Sequence, residues 1–142
     1  LSMIQNIKPY FTGKMGTLGF TEWEDGFADD NIPSTILDKS FHQLMTLASG
    51  TVINQESFEI RVSQQVKVFL KGFRDPAQAI AEGLVSAKSI IASVLKVADY
   101  KAAGITGLFF DSFTVDPLSE FQNDNVIVIT LNFEVLTFNC ID

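Results

Sequence analysis

This 142-residue sequence has one cysteine, one histidine and four prolines, and residues 102–142 contain no lysine or arginine. Cys140 alone cannot close an intrachain disulfide, which fits a reducing compartment. His42 alone cannot supply a multi-histidine metal site. The longest aliphatic run, Val126 to Ile129, falls far short of the roughly 20 apolar residues of a spanning helix. No export signal is expected near the start, where Lys8 and Pro9 interrupt any apolar run. These scarcities argue against a disulfide scaffold, a zinc module and a helical membrane protein.

What the sequence does have is apolar and divided by charge. Hydrophobic residues make up 46% and charged residues 19%, which is ordinary globular composition. Residues 1–142 are expected to form one domain, long enough to bury roughly 68% of its unfolded surface. Thirteen Phe leave aromatics to spare for an interface. Residues 1–60 carry a net −5, residues 61–101 a net +4 and residues 102–142 a net −6. The overall −7 argues against tight binding to nucleic acid, whose affinity comes largely from cations neutralising phosphates. It argues equally against an anionic membrane, but not against a surface past which DNA slides.

The periodicity reads as mixed α/β. Ile4, Ile7, Phe11 and Met15 recur at helical spacing, with an end near Gly16 to Gly19. Residues 20–57 hold no sustained period and read as a long loop, with a short strand near Ser40 to Leu47. Residues 58–72 alternate: Phe58, Ile60, Val62, Val66, Val68 and Leu70 face one way. Glu59, Arg61, Ser63, Gln65, Lys67 and Lys71 face the other, with Phe69 the apolar exception. Asp75-Pro76, with Gln78 three residues after the cap, starts a helix of about six turns ending near Gly104. Its expected buried face is Ala77, Ile80, Ala81, Leu84, Ala87, Ile91, Val94, Leu95 and Ala98. Strands follow at 107–116 and 126–138, separated by Pro117 and the Gln122 to Asn125 turn cluster.

Catalytic patterns are weak. A Cys140–His42 nucleophilic pair is conceivable, but an incidental strand histidine and a small apolar residue are the simpler account. The acids Glu22, Glu24, Asp25, Asp29 and Asp30 lack EF-hand ligand spacing, so a solvated or partner-facing loop is favoured over a metal site. Gly13, Gly16 and Gly19 lack the strand and the lysine of a phosphate loop and read as chain reversal. The basic stretch Arg61, Lys67, Lys71 and Arg74 is either a solvated face or a partner for an acidic surface on a neighbouring subunit.

Several stretches resemble the tail terminator (tail completion) proteins of long-tailed bacteriophages. Met3-Ile4-Gln5-Asn6-Ile7-Lys8-Pro9-Tyr10-Phe11 is similar to their first helix. Gly19 to Phe27, Asn31-Ile32-Pro33 and Asp38 to His42 are similar to their central loop and first strand, as are Val66 to Asp75 and Asp124-Asn125 to later elements. The resemblance implies an α+β subunit of α-β-β-α-β-β order, with a mostly antiparallel sheet of about four strands and two helices on one face. It also implies a ring of six subunits in the virion tail neck, assembled in the host cytoplasm. The ring would cap the tail tube, stop its polymerisation and dock the head connector, with DNA only passing through. The implied protein is not an enzyme and needs no cofactor, metal or membrane. Its candidate interface joins Glu22, Trp23, Asp25 and Phe27 of the loop to Arg61, Lys67, Lys71 and Arg74. A different neck or connector subunit, or a small ligand-binding or enzymatic α/β domain, stands as the alternative.

Overall fold

The computed structural model describes residues 2–23, 38–54, 57–71, 75–121 and 124–140. Helices α1 (Ser2–Gln5) and α2 (Ile7–Thr17) lead into a short strand β1 (Thr21–Glu22). Two long strands follow, β2 (Ser40–Asn54) and β3 (Ser57–Lys71), then helices α3 (Pro76–Val94) and α4 (Val97–Ala102). The terminal hairpin is β4 (Gly107–Phe121) and β5 (Asp124–Cys140). The sheet order is β1-β2-β3-β5-β4. The four long strands pair antiparallel, and β1 pairs parallel with β2 at Ser40 and Phe41.

The expected α-β-β-α-β-β order and four-stranded antiparallel sheet are therefore corrected to a mixed five-stranded sheet with four helical segments among the described residues. The short β1 carries no period of its own. The whole of Ser40–Asn54 is strand, seven residues beyond the short strand expected near Ser40 to Leu47. Its alternation is hidden because buried Ser40 and Gln43 sit where apolar residues are normally sought. Pro117 does not end β4 but lies within it, opposite Ile127. An edge strand tolerates this, since the missing N–H can face outward.

Local chemistry explains the helix boundaries. At α3 the extended Asp75 accepts a 2.8 Å bond from the Gln78 N–H, and Pro76 takes the first helical position. Both α2 and α4 end in Schellman motifs on positive-φ glycines, Gly19 and Gly104. Phe20 N–H donates to Met15 C=O at one, Ile105 N–H to Tyr100 C=O at the other, both at 3.0 Å. The single helix expected up to Gly104 breaks at Leu95–Lys96. There the Tyr10 hydroxyl donates to Val94 C=O at 2.5 Å, taking a carbonyl that a continuous helix would bond internally.

One face of the sheet is covered by helices and holds the main core. Ile60, Val62, Val66, Val68 and Leu70 of β3 and Ile127, Ile129, Leu131, Phe133 and Val135 of β5 meet Ile7, Tyr10, Phe11 and Met15 of α2 there. Phe133 stands edge-on between Phe11 and Phe110, with centroids at 5.2 and 5.5 Å. On α3, Ala79, Gly83, Ala87, Ile90 and Val94 face inward. Ala77, Ile80, Ala81, Leu84 and Ala98 of the expected face are exposed instead. The helix is apolar on more than one side. Small residues turn inward because they permit close approach, which displaces the larger ones outward.

Candidate interaction surface

Among the described residues the opposite face of the sheet carries no helix, and its side chains are set by strict alternation. Arg61, Ser63, Gln65, Lys67, Phe69 and Lys71 of β3 stand beside Leu136, Glu134, Asn132, Thr130, Val128 and Val126 of β5. A polar ladder crosses the strands: Gln65 Nε2 donates to Asn132 Oδ1 at 3.1 Å, and Asn132 Nδ2 donates to Ser112 Oγ at 3.3 Å. Arg61 bonds Glu134 at 2.8 Å and Glu59 at 3.1 Å. These carboxylates, Glu134 first, raise the guanidinium further above its ordinary range. Arg61 is thus exposed and paired within the chain. Lys67 lies opposite His42 on β2 and Thr130 on β5, while the Lys71 N–H donates to Asp38 Oδ1 at 3.1 Å.

Phe69, the exception in the alternation, is explained by Trp23. Just after β1, the backbone N–H of Trp23 donates to Phe41 C=O at 3.1 Å, and the side chain folds over this face, 3% exposed. Its ring stacks on His42 at 4.5 Å and tilts against Phe69 at 5.9 Å, and Val126 completes the cluster. Trp23, expected as a docking anchor, is spent inside the chain. Glu22, expected as its polar rim, is also tied down. Its Oε1 accepts from Thr12 Oγ1 at 3.0 Å and its Oε2 from Gln43 Nε2 at 2.9 Å. The expected contacts Asp25, Phe27 and Arg74 lie outside the described residues.

Sequence reasoning missed the buried glutamines. Gln64 Nε2 donates to Gln43 Oε1 at 2.7 Å, and Gln64 Oε1 is buried with no partner. The signal was available: position 64 is the gap in the otherwise apolar row of β3. Both glutamines line a cleft of about 540 Å³ between Lys8 of α2 and residues His42 to Met45 of β2.

The Cys140–His42 pair is excluded within one chain by register. Cys140 is opposite Ser57 and His42 opposite Lys67. Ten residues of strand separate them, about 33 Å at roughly 3.3 Å per residue. Among the described residues no three His, Cys, Asp or Glu side chains gather as metal ligands. No described helix is long and apolar enough to cross a membrane.

The edges of the sheet differ. Among the described residues, β1 covers the β2 edge only at Ser40 and Phe41, and β4 has no outer neighbour. From His42 to Asn54, β2 contains no Asp, Glu, Lys, Arg or Pro; the charges beside it are Lys8, Lys39 and Lys67 together with Glu22, bonded to Gln43, and Glu59, opposite Thr51. β4 contains acids and no base. Leu44 and Phe109, each 54% exposed, lie near opposite edges of the helix-free face. No family model matches the chain, and no curated protein matches its sequence.

Proposed function

We propose that the chain is a structural virion subunit that closes head to tail into a ring, as the tail terminators it resembles do. The ring, of six copies in those proteins, caps a tail tube in the tail neck, halts tube growth and offers the docking surface for the head connector. DNA passes through its channel.

The observation that carries this reading is the asymmetry of the sheet edges. One edge strand is uncharged from His42 to Asn54; the other belongs to a hairpin that carries acids and no base. Contacts between two different surfaces of the same chain are heterologous, and they close into rings or run on as filaments. An acid-rich edge repels its own copy but not the uncharged edge, which guides register more than it adds affinity. Capping a tube with such a ring needs no bond-making chemistry, so the proposal assigns no catalytic residue.

The test is electron microscopy of tails assembled with and without the protein. Tubes of uniform length bearing a terminal ring are expected when it is present, and overlong tubes when it is missing. Uniform tubes in its absence would remove the terminator role.

A further inference from the structure

We infer that the β4 edge of one copy adds to the β2 edge of a second copy, entering the cleft beside α2. This rests on the ring reading above and names its contact.

Direction comes first. β2 and β4 run antiparallel, because three antiparallel pairings separate them in the order β2-β3-β5-β4. A rotation about an axis along the strands preserves direction. It therefore brings β4 antiparallel to the next copy's β2, continuing the alternation of the sheet.

Hydrogen-bonding parity agrees. Lys39 and Phe41 give their carbonyls to β1, in bonds of 2.9 and 3.1 Å from Thr21 and Trp23. By alternation, Gln43, Met45 and Leu47 present N–H and C=O to the edge that no described strand covers. On β4, Pro117 has no N–H for β5 and must face outward, so Phe113 and Val115 face outward with it. Pairing Met45 with Phe113 then joins two outward-facing residues, as an antiparallel ladder requires.

The side chains agree as well. Met45 and Phe113, each 37% exposed, both stand on the helix side of the sheet. Leu44 and Phe109 both stand on the helix-free side. Each face thus contributes an exposed apolar residue from both edges. The open part of β2 also lacks the charges and prolines that normally blunt an edge strand. Self-pairing of β4 would bring acids together, whereas β2 from His42 to Asn54 carries no acid of its own and meets them without that repulsion.

Disulfide trapping tests this in protein carrying Cys140→Ser. With Met45 opposite Phe113, Thr46 falls opposite Ser112 as a non-hydrogen-bonded pair, whose Cα separation of roughly 4.5 Å suits a disulfide. A two-residue shift puts Thr46 opposite Thr114. The double variants Thr46→Cys/Ser112→Cys and Thr46→Cys/Thr114→Cys are oxidised, run without reductant and imaged by negative stain. One of them is expected to give a ladder of multimers ending at ring size. Rings without a ladder in either variant overturn the edge pairing and leave the ring reading intact. A ladder without closed rings does the reverse. Quantitative dimers from Thr46→Cys or Ser112→Cys alone show like edges meeting and overturn the inference. A second variant, Met45→Lys, alters an exposed side chain and is expected to raise the concentration needed for association about tenfold or more. Unchanged association refutes the proposed contact.

Discussion

Gly83 is where the packing of α3 against the sheet is most sensitive. A methyl group at Gly83 would lie 2.7 Å from Val115 Cγ1 and 3.2 Å from Ile127 Cδ1. Carbon atoms prefer roughly 3.5–4.0 Å, so the first contact cannot stand. Ile127 can swing its terminal carbon, but the branched Val115 is stiff at χ1 and the helix must lift. Two terms oppose each other in Gly83→Ala. Replacing glycine inside a helix gains about 1 kcal/mol. Overpacking costs about 1–3 kcal/mol. The expected net effect is destabilisation of about 1 kcal/mol, against the propensity rule. Val115→Ala in the same chain removes the obstructing atoms, so the pair should be coupled by about 1 kcal/mol in the stabilising direction. Urea unfolding of the four proteins, followed by the fluorescence of the only tryptophan, Trp23, and by circular dichroism, measures both quantities. A Gly83→Ala protein more stable than the parent, or additive substitutions, would refute the close-contact argument.

Removing the α3 cap in Asp75→Ala should cost about 1 kcal/mol, while Asp75→Asn keeps the acceptor and most of the stability; urea midpoints decide. Burial, with Asp99 and then Tyr100 adding, pushes the Tyr10 hydroxyl up to about 12. The unfolded chain ionises near pH 10, so this contribution is complete below pH 10 and lost as pH rises through about 12. Tyr10→Phe should therefore flatten the alkaline fall in stability, lower stability at neutral pH by about 1 kcal/mol through the lost bond to Val94, and remove the highest component of the tyrosinate absorbance titration. Lys67→Glu with Lys71→Glu should weaken assembly and reverse its salt dependence, because acids would replace bases on the β2 side of the proposed contact. Unchanged sedimentation at low and high salt would take that charge out of the interface.

Where one local rule governed, the sequence was readable. The β3 alternation identified both faces residue by residue, and Asp75-Pro76 marked the start of α3. Gly19 and Gly104 were readable because a left-handed cap favours glycine. Where two partners share the work, the pattern was obscured. Gln43 accepts from Gln64 and donates to Thr12 and Glu22, so a polar residue occupies a core position of β2 and the strand escapes a search for apolar alternation. The break after Val94 depends on a hydroxyl from α2, and no reading of α3 alone contains it. The orientation of α3 failed for the same reason. Ile80 and Leu84 look like core residues until Gly83 is seen to need the space against Val115 and Ile127.

The charge division of the sequence takes a different meaning in three dimensions. Its basic block looked like a binding face, but Arg61 is held by Glu134 and Glu59, and Lys67 and Lys71 sit on an interior strand rather than at an edge. Its acidic region looked like a docking arm, but Glu22 is bonded to Thr12 and Gln43, and Trp23 seals its own sheet. Among the described residues, strand order determines what else is left for contact. A base-free hairpin forms one edge, and a strand without charges from His42 to Asn54 lies near the other. Charges that are individually satisfied or solvated can still discriminate between edges, because like edges repel wherever the acids of two copies approach within a Debye length, roughly 8 Å in physiological salt. That range is longer than the spacing of neighbouring strands, about 4.8 Å, so repulsion acts before any backbone bond can form. Selection between head-to-tail and like-to-like pairing can therefore be electrostatic even though the final contact is made by backbone groups and by Met45, Phe113, Leu44 and Phe109.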